Sequence, residues 1–192
     1  MAAVSSWVAR WAALLPPGEV LDLACGGGRH ARHLAALGHP VLALDRDAAA
    51  LLDAAGPGIN TLQCDLEDGV SAWPFAPGRF AGIVVTNYLH RPLFAQLASS
   101  LAPDGILIYE TFASGNEAFG KPSNPDFLLG EGELLAMAAA QGLRVLAYED
   151  GFSSMPTAAM VQRLCACRAG FARNKVLLDL KPGLSVRDSG QE

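Results

Sequence analysis

Residues 20–45 read VLDLACGGGRHARHLAALGHPVLALD, and this stretch decides the fold. A short apolar segment leads into three glycines, then a helical pattern, then a second apolar segment that ends in Asp45. This order is typical of a nucleotide-binding β-α-β unit. Gly26, Gly27 and Gly28 let the backbone turn tightly near a ligand, and the first N–H groups of the next helix point at it. Because Asp45 can accept hydrogen bonds from both hydroxyls of a ribose, the stretch predicts a cofactor that contains a nucleoside.

The composition indicates one globular domain rather than a disordered chain. Its 192 residues are 51% hydrophobic and 17% charged, with a net charge of −5. The only lysines are Lys121, Lys175 and Lys181, so the sequence predicts no basic face for a nucleic acid. Nucleic acid is therefore a disfavoured partner, although a small RNA substrate stays open.

The cysteines and the hydropathy pattern bear on metal binding and on localisation. Cys25, Cys64, Cys165 and Cys167 lack the spacing of a zinc site, and we interpret them as reduced thiols. No secretory pattern and no apolar run of membrane-spanning length is present. We therefore expect a soluble cytoplasmic protein with no metal and no membrane partner.

Apolar runs and helical patterns alternate along the chain, which predicts a doubly wound α/β domain with a mostly parallel sheet. The predicted helices are 29–37, 47–55, 92–101 and 131–141, after an N-terminal helix that ends before Pro16. The predicted strands are 19–24, 40–45, 59–63, 80–86, 106–110, 144–148 and 161–167. The segment between the last two strands is too short for a confident crossover helix, so we expect a hairpin and a last strand that runs antiparallel.

Three parts of the chain are distinguished: an N-terminal helix (1–17), a cofactor-binding domain (18–170) and a C-terminal extension (171–192). The extension could add an edge strand through Val176, Leu178 and Leu180, and we expect disorder beyond Ser185. Trp7 and Trp11 on the N-terminal helix could form a partner surface, cover the sheet edge or cap the cofactor pocket. Residues 111–130 form a long loop after a strand, either a lid or substrate wall or a surface loop that packs its own aromatic residues, Phe112, Phe119 and Phe127.

Acidic residues around the glycine turn separate two classes of cofactor. Asp22 lies inside the first strand, where it would repel a pyrophosphate and attract a cationic amine. Asp65 follows the third strand at the same sheet edge, well placed for an adenine amino group. No Tyr-x-x-x-Lys pair is present, so a short-chain reductase would lack its catalytic couple. The acids favour a cationic cofactor without phosphates.

The residues DLACGGG, the acids after strands two and three and the late hairpin together resemble class I S-adenosylmethionine-dependent methyltransferases, over residues 20–167. The resemblance implies a seven-stranded sheet with an antiparallel last strand and S-adenosylmethionine as cofactor. The compact size and the start LDLACGGGRHARHLAALGH are similar to tellurite-resistance-type methyltransferases. The one departure is Ala24, where the fuller motif has its first glycine.

The resemblance also implies which residues bind each part of the cofactor. Asp22 and the backbone of 24–28 would face the methionine moiety, with Ala24, Cys25, Gly26 and Gly28 counted as cofactor-binding residues. Asp45 would bind the ribose hydroxyls, with Arg46 beside it in the site. Asp65 and Leu66 would contact the adenine. Asn87 and Tyr88 would line the side of the sulfonium and its methyl group.

The methyl acceptor is expected beside the turn after strand four, Thr86-Asn87-Tyr88-Leu89-His90-Arg91. The turn lacks the Asn-Pro-Pro-Tyr of many base and amide methyltransferases, so it does not support those substrates. Asn87, Tyr88 and His90 are the candidate catalytic residues, with His90 either a general base or a residue that hydrogen-bonds the loop. Tyr88 could position the acceptor, contact the sulfonium through its ring, or serve only as an amphipathic wall residue.

Four further positions are open on the sequence alone. Glu110 could bind a cationic substrate or hold Arg91. His30 and His33 lie three residues apart on a helix, and we expect exposed helix residues rather than metal ligands. Polar residues of the long loop could contact substrate or make local turns, which is the simpler interpretation; they are Asn116, Ser123, Asn124 and Asp126.

The leading hypothesis is a methyltransferase that acts by in-line displacement on a small-molecule acceptor. One alternative is a nicotinamide-dependent oxidoreductase of the same architecture. Another is a non-catalytic, cofactor-binding partner protein. The oligomeric state is not predicted.

Overall fold

Seven strands form one sheet in the computed structural model, which describes residues 3–176. In chain order they are β1 (Val20–Leu23), β2 (Val41–Asp45), β3 (Ile59–Gln63), β4 (Phe80–Thr86), β5 (Leu101–Phe112), β6 (Arg144–Ser153) and β7 (Ala159–Cys167). Their spatial order is β3-β2-β1-β4-β5-β7-β6. The first five strands pair in parallel, while β7 is antiparallel to both β5 and β6. The predicted sheet and its late antiparallel hairpin are confirmed.

Five helices cover the sheet at the predicted places: α1 (Ser6–Trp11), α2 (Arg29–Ala36), α3 (Ala48–Ala54), α4 (Phe94–Ser100) and α5 (Glu133–Ala140). Ser5 caps α1, because its side chain accepts hydrogen bonds from the N–H groups of Trp7 and Val8. A 3-10 turn (Ala12–Leu14) continues α1 to the prolines that end it.

The two faces of the sheet bury two separate cores, as the alternation of side chains in β1 illustrates. Leu21 and Leu23 face the core that includes residues of α4 and α5. Val20 faces the other core, which includes residues of α1, α2 and α3. Trp7 and Trp11 lie in this second core with 3% and 5% of their surfaces exposed. The N-terminal helix therefore covers a face of the sheet, and the idea that its two tryptophans form a partner surface is wrong.

β5 extends beyond its predicted bounds of 106–110, because its end pairs with β7 as far as Phe112 opposite Val161. The irregular loop therefore begins at residue 113, and it contains two short 3-10 turns (Asn116–Ala118 and Pro125–Phe127). Val176 packs partly against the second core, whereas the predicted edge strand through Leu178 and Leu180 and the disorder expected beyond Ser185 lie outside the described residues.

Within residues 3–176, no helix has the length and apolar character needed to cross a membrane.

Candidate functional site

The site lies at the carboxyl ends of β1 and β4, neighbouring strands from which the chain continues in opposite directions along the sheet. Such a switch point leaves a crevice where open α/β sheets bind ligands. The residue after β1, Ala24, has φ +53°, and the residue after β4, Asn87, has φ +54°. Both are left-handed conformations that residues other than glycine rarely adopt. Backbone strain is therefore concentrated on both sides of the crevice.

Asp45 holds the glycine turn in place. The Gly26 N–H donates to Oδ2 of Asp45 at 2.7 Å, and the Asp47 N–H donates to Oδ1 at 2.9 Å. Since a carboxylate offers about four lone-pair sites, each oxygen of Asp45 can still accept a hydroxyl donor. The carboxylate thus fixes the turn and keeps capacity for a ligand.

A first cavity of about 190 Å³ opens beside Asp45 along the ends of β1, β2 and β3. Asp65 and Leu66 line it from the segment after β3, and Tyr88 lines it from the turn after β4. The exposed Arg46 also borders the cavity. This combination of carboxylates with an apolar and an aromatic wall fits a nucleoside. Glu67 lines the same cavity, and sequence reasoning missed it.

A second cavity of about 620 Å³ lies on the other side of Ala24, which borders both cavities. It is lined by Cys25 and Gly26 from the glycine turn and by Asn87. Arg29, at the start of α2, also lines it, although sequence reasoning did not select this residue. Arg29 places a cation beside the exposed backbone of Gly27, which also lines this cavity, and such a cation can attract a carboxylate.

Asp22 lies beneath the glycine turn, fully buried, and lines neither cavity. Neither of its carboxylate oxygens has a hydrogen-bond partner within geometric limits among the described residues. Burial raises the pKa of Asp22 to about 7, and the Ala31 N–H and the Arg29 guanidinium oppose that shift only in part. A buried carboxylate without a partner is costly, and a cationic ligand group would compensate for it.

Cys25 and Gly28, the other turn residues predicted to bind the cofactor, differ in their surroundings. Burial and the charges of Asp22 and Asp45 raise the pKa of the Cys25 thiol to about 12, so it is not a nucleophile. Gly28 is buried, and a Cβ there would lie 2.6 Å from Cβ of Ala54. Gly28 therefore allows close packing against α3 and does not line either cavity.

The turn after β4 carries the three residues predicted to be catalytic. The exposed Asn87 borders the second cavity, while the half-buried Tyr88 borders the first. The buried Tyr109 supports the turn by donating from its hydroxyl to the Tyr88 carbonyl at 2.8 Å. Burial and the charge of Glu67 raise the pKa of Tyr88, which therefore stays a neutral phenol. His90 is half-buried and lines neither cavity.

Arg91 joins this turn to the long loop. Its Nε and Nη2 atoms donate to the two carboxylate oxygens of Glu133 at 2.6 and 2.9 Å. Its Nη1 and Nη2 atoms also donate to the carbonyls of Asp126 and Leu128 at 2.8 and 2.9 Å. Four donor contacts from one guanidinium hold the end of the loop against the acceptor side of the site.

Glu110 pairs with Arg163, a partner that sequence reasoning missed. Nε of Arg163 lies 2.6 Å from Oε2 of Glu110, and its Nη1 lies 2.9 Å from Oε2 of Glu149. The suggestion that Glu110 holds Arg91 is wrong, because antiparallel pairing places Glu110 opposite Arg163 and Arg91 binds Glu133 instead.

His30 is buried, with 1% of its surface exposed, so the expectation of an exposed helix residue is wrong for it. The Ser5 N–H donates to Nε2 at 3.2 Å, which places the ring proton on Nδ1, 3.2 Å from the Thr86 hydroxyl. Burial lowers the pKa of His30 to about 4. Neutral His30 thus connects the cap of α1 to the end of β4. His33 is half-buried, and no cluster of potential metal ligands occurs among residues 3–176.

The polar residues of the long loop mainly make internal contacts. Asn124 accepts from the Asp126 N–H at 3.1 Å, a local turn as expected. Asn116 is 1% exposed and bonds to the Pro122 carbonyl and the Met160 N–H, so it fixes the loop to β7.

Known proteins that this chain is similar to include methyltransferases. Residues 20–105 match the family described as a methyltransferase domain. The protein-L-isoaspartate O-methyltransferase of Chlorobaculum tepidum is 37% identical over 98 residues, which cover 49% of this chain and 45% of that protein. The chain thus spans less than half the length of this curated relative.

Two solved structures have the same fold. TehB from Haemophilus influenzae matches with a TM-score of 0.71 and 18% identity, over 88% of this chain and 63% of that chain. The 1,6-didemethyltoxoflavin-N1-methyltransferase of Burkholderia thailandensis, solved with 1,6-didemethyltoxoflavin and S-adenosylhomocysteine bound, matches with a TM-score of 0.61 and 20% identity. That match covers 85% of this chain and 76% of the other.

These matches confirm the resemblance to class I S-adenosylmethionine-dependent methyltransferases, and the likeness to TehB is one of fold. The fold is that of the class, and residues 20–105, less than half of the chain, match a methyltransferase domain. S-adenosylmethionine is the cofactor of this family, and the nicotinamide alternative is not favoured.

Proposed function

We propose that this chain, with its class I methyltransferase domain, transfers the methyl group of S-adenosylmethionine to a small-molecule acceptor in the cytoplasm. The observation that carries the proposal is the pair of cavities that meet at Ala24. One offers carboxylates and an apolar wall to a nucleoside, and the other offers the glycine turn and the cation of Arg29 to an amino acid. S-adenosylmethionine combines these two chemistries in one molecule.

The chain's own residues divide the work of binding. Asp45 accepts hydrogen bonds from the ribose hydroxyls while it keeps its contacts with the glycine turn. Asp65 accepts from the adenine amino group, with Leu66 and Tyr88 as apolar walls. Asp22, whose carboxylate oxygens have no hydrogen-bond partner within residues 3–176, supplies negative charge near the α-ammonium group, and Arg29 attracts the α-carboxylate.

Methyl transfer needs orientation and a dry site more than it needs covalent help from the protein. When bound, S-adenosylmethionine would supply a methyl group on its sulfonium. In-line attack of the acceptor on that methyl carbon would release S-adenosylhomocysteine. Asn87 orients the acceptor beside that methyl group. His90, on the same turn, receives a proton where the acceptor must lose one. The long loop, held by Arg91, limits the access of water.

A small acceptor is favoured over a macromolecule by charge and by analogy. The net charge is −5, which does not favour a polyanion. The Burkholderia enzyme of similar fold is named for methylation of a small heterocycle, 1,6-didemethyltoxoflavin. No observation favours the non-catalytic alternative, since the tryptophans suggested as its partner surface are buried.

The cofactor assignment is tested by calorimetric titration of the chain with S-adenosylhomocysteine. We expect binding to the wild type and a loss of about 1–3 kcal/mol for Asp45→Asn, which corresponds to roughly 5- to 150-fold in Kd. Asn keeps one oxygen as an acceptor for the turn, and a melting curve of the variant checks that the fold survives. Asp126→Asn is the matched control, because this exposed residue lies outside both cavities.

Two outcomes would contradict the assignment. Absence of S-adenosylhomocysteine binding by the wild type, together with tight NADH binding, would establish a reductase instead. Equal affinities of the wild type and Asp45→Asn would remove Asp45 from the ribose site. Release of S-adenosylhomocysteine in the presence of a panel of small acceptors, compared with tRNA, then tests the acceptor class.

A further inference from the structure

Two aromatic rings are exposed side by side where the long loop meets the β6–β7 hairpin. Phe119 and Phe152 are 46% and 57% exposed, with ring centroids 4.9 Å apart and planes inclined by 40°. Met155, at the tip of the same hairpin, is 73% exposed. We call these three residues the aromatic patch. Apolar groups that cluster on a surface commonly mark a binding site.

The topology places this patch on the same edge of the sheet as the cofactor site. Because β7 is antiparallel, its first residues and the last residues of β6 lie beside the carboxyl end of β5. Phe112, at the end of β5, pairs with Val161, and Phe152 pairs with Met160 in the next ladder. Three strand intervals of about 4.8 Å separate β4 from β6, and the ladders place Phe152 three residues beyond the level of Thr86, so the patch lies on the order of 17 Å from the end of β4.

The exposure of the rings is not explained by a poorly anchored loop. Asn116, three residues before Phe119, is buried and donates to the Pro122 carbonyl at 3.0 Å. Its side-chain oxygen accepts from the Met160 N–H at 3.2 Å. Gly115, with φ +94°, packs where a Cβ would lie 3.2 Å from Cγ of Met160. The loop is thus fixed to β7 by its backbone and by a buried amide, while the phenylalanine rings stay outside.

The area of the patch identifies the kind of occupant. Two half-exposed phenylalanines and one methionine present on the order of 350 Å² of apolar surface. A stable protein–protein interface buries about 800 Å² on each partner, so the patch is too small for a second copy of the chain. It suits one or two flat rings, which stack on aromatic faces.

From these observations we propose that the aromatic patch binds an apolar ring system of the methyl acceptor, on the order of 15–20 Å from the atom that receives the methyl group. The inference rests on the proposed function and narrows its substrate class to elongated acceptors with an aromatic portion. The turn 87–91 orients the reacting end, and the patch holds the distal end.

The proposal is tested with 2-naphthol as the probe, measured by saturation-transfer NMR on the full chain with saturating S-adenosylhomocysteine. We expect the wild type to bind 2-naphthol and both Phe119→Ala and Phe152→Ala to weaken that binding about two- to tenfold. Phe119→Leu, which keeps apolar contact without the ring, should show a smaller loss. Leu52→Ala is the control, because Leu52 is 80% exposed on α3, away from the patch.

Binding of S-adenosylhomocysteine, measured on every variant, separates this proposal from the proposed function. If the wild type binds S-adenosylhomocysteine but not 2-naphthol, the patch assignment is wrong and the cofactor assignment stands. A 2-naphthol affinity in both alanine variants equal to that of the wild type would also overturn it. So would a dimer in sedimentation that Phe152→Ala dissociates, because the occupant would then be a second copy. If the wild type fails to bind S-adenosylhomocysteine, the proposed function itself fails.

Discussion

Replacing Ala24 by glycine should stabilise the protein, against the usual effect of this substitution. Ala24 has φ +53°, where an L-residue costs about 1–2 kcal/mol relative to the right-handed region. Glycine removes that cost but adds about 0.4–1 kcal/mol of conformational entropy to the unfolded chain. The difference predicts a net gain of about 0.5–1 kcal/mol. For a chain of this length the melting temperature should rise by about 1–4 °C.

Stability is measured by urea unfolding and by thermal melting in the absence of ligand, and two further variants are compared with Ala24→Gly. Ala49→Gly makes the same chemical change in helix α3, where it should cost about 1 kcal/mol. Asn87→Gly relieves a similar conformation, φ +54°, but should gain less because asparagine tolerates left-handed backbone better than alanine. The expected order of stability is therefore Ala24→Gly, then Asn87→Gly, then Ala49→Gly.

Ala24→Gly should also retain S-adenosylhomocysteine affinity within about threefold, because the proposed contacts at this position come from the backbone. If Ala24→Gly were as unstable as Ala49→Gly, the left-handed turn would be refuted. A loss of affinity with unchanged stability would instead show that the alanine methyl group, which borders both cavities, contacts the ligand.

The two buried titratable groups near the site predict opposite pH dependences. The pKa of Asp22 is raised from 3.8 to about 7, so burial of its carboxyl group is tolerated below pH 4 and destabilises the fold as pH rises through 7. Asp22→Asn should therefore be more stable than the wild type by about 1–3 kcal/mol at pH 8 and equally stable near pH 3.5. This variant should also bind S-adenosylhomocysteine more weakly. Equal stabilities at pH 8 would show that the carboxylate has a partner. The pKa of His30 is lowered from 6.5 to about 4, so its contribution to the free energy of unfolding is complete above pH 6.5 and is lost as pH falls towards 4. In urea titrations, His30→Gln should flatten the dependence of stability on pH over this range. An unchanged slope would contradict the buried, neutral imidazole.

The sheet could be predicted from the sequence because its central strands carry a local signal. The run from Gly82 to Val85 is fully buried, and a continuous apolar run of that length is typical of a parallel strand covered on both faces. The acids Asp45 and Asp65 were found for a related reason, since the carboxyl ends of parallel strands meet at one edge. Local patterns and one topological rule were sufficient for these features.

Partners of charged side chains could not be predicted in the same way. Arg91 and Glu133 are 42 residues apart, and Arg163 and Glu110 are 53 apart. Which pairs form depends on strand register and on the path of the loop, and a shift of one residue exchanges the two faces of a strand. His30 was misjudged because its burial comes from α1, a helix distant in sequence that lies over it.

The features that weaken the fold occur together at the cofactor site. Ala24 stores backbone strain where glycine would relieve it, and the buried Asp22 carboxylate carries a charge that asparagine would not. Neither feature is explained by stability, because a single substitution should improve each. Strain and unpaired charge persist in proteins where function requires them. A cationic ligand over the turn would compensate Asp22 and draw on the free capacity of Asp45, so the same residues that weaken the free protein would provide affinity for the methyl donor.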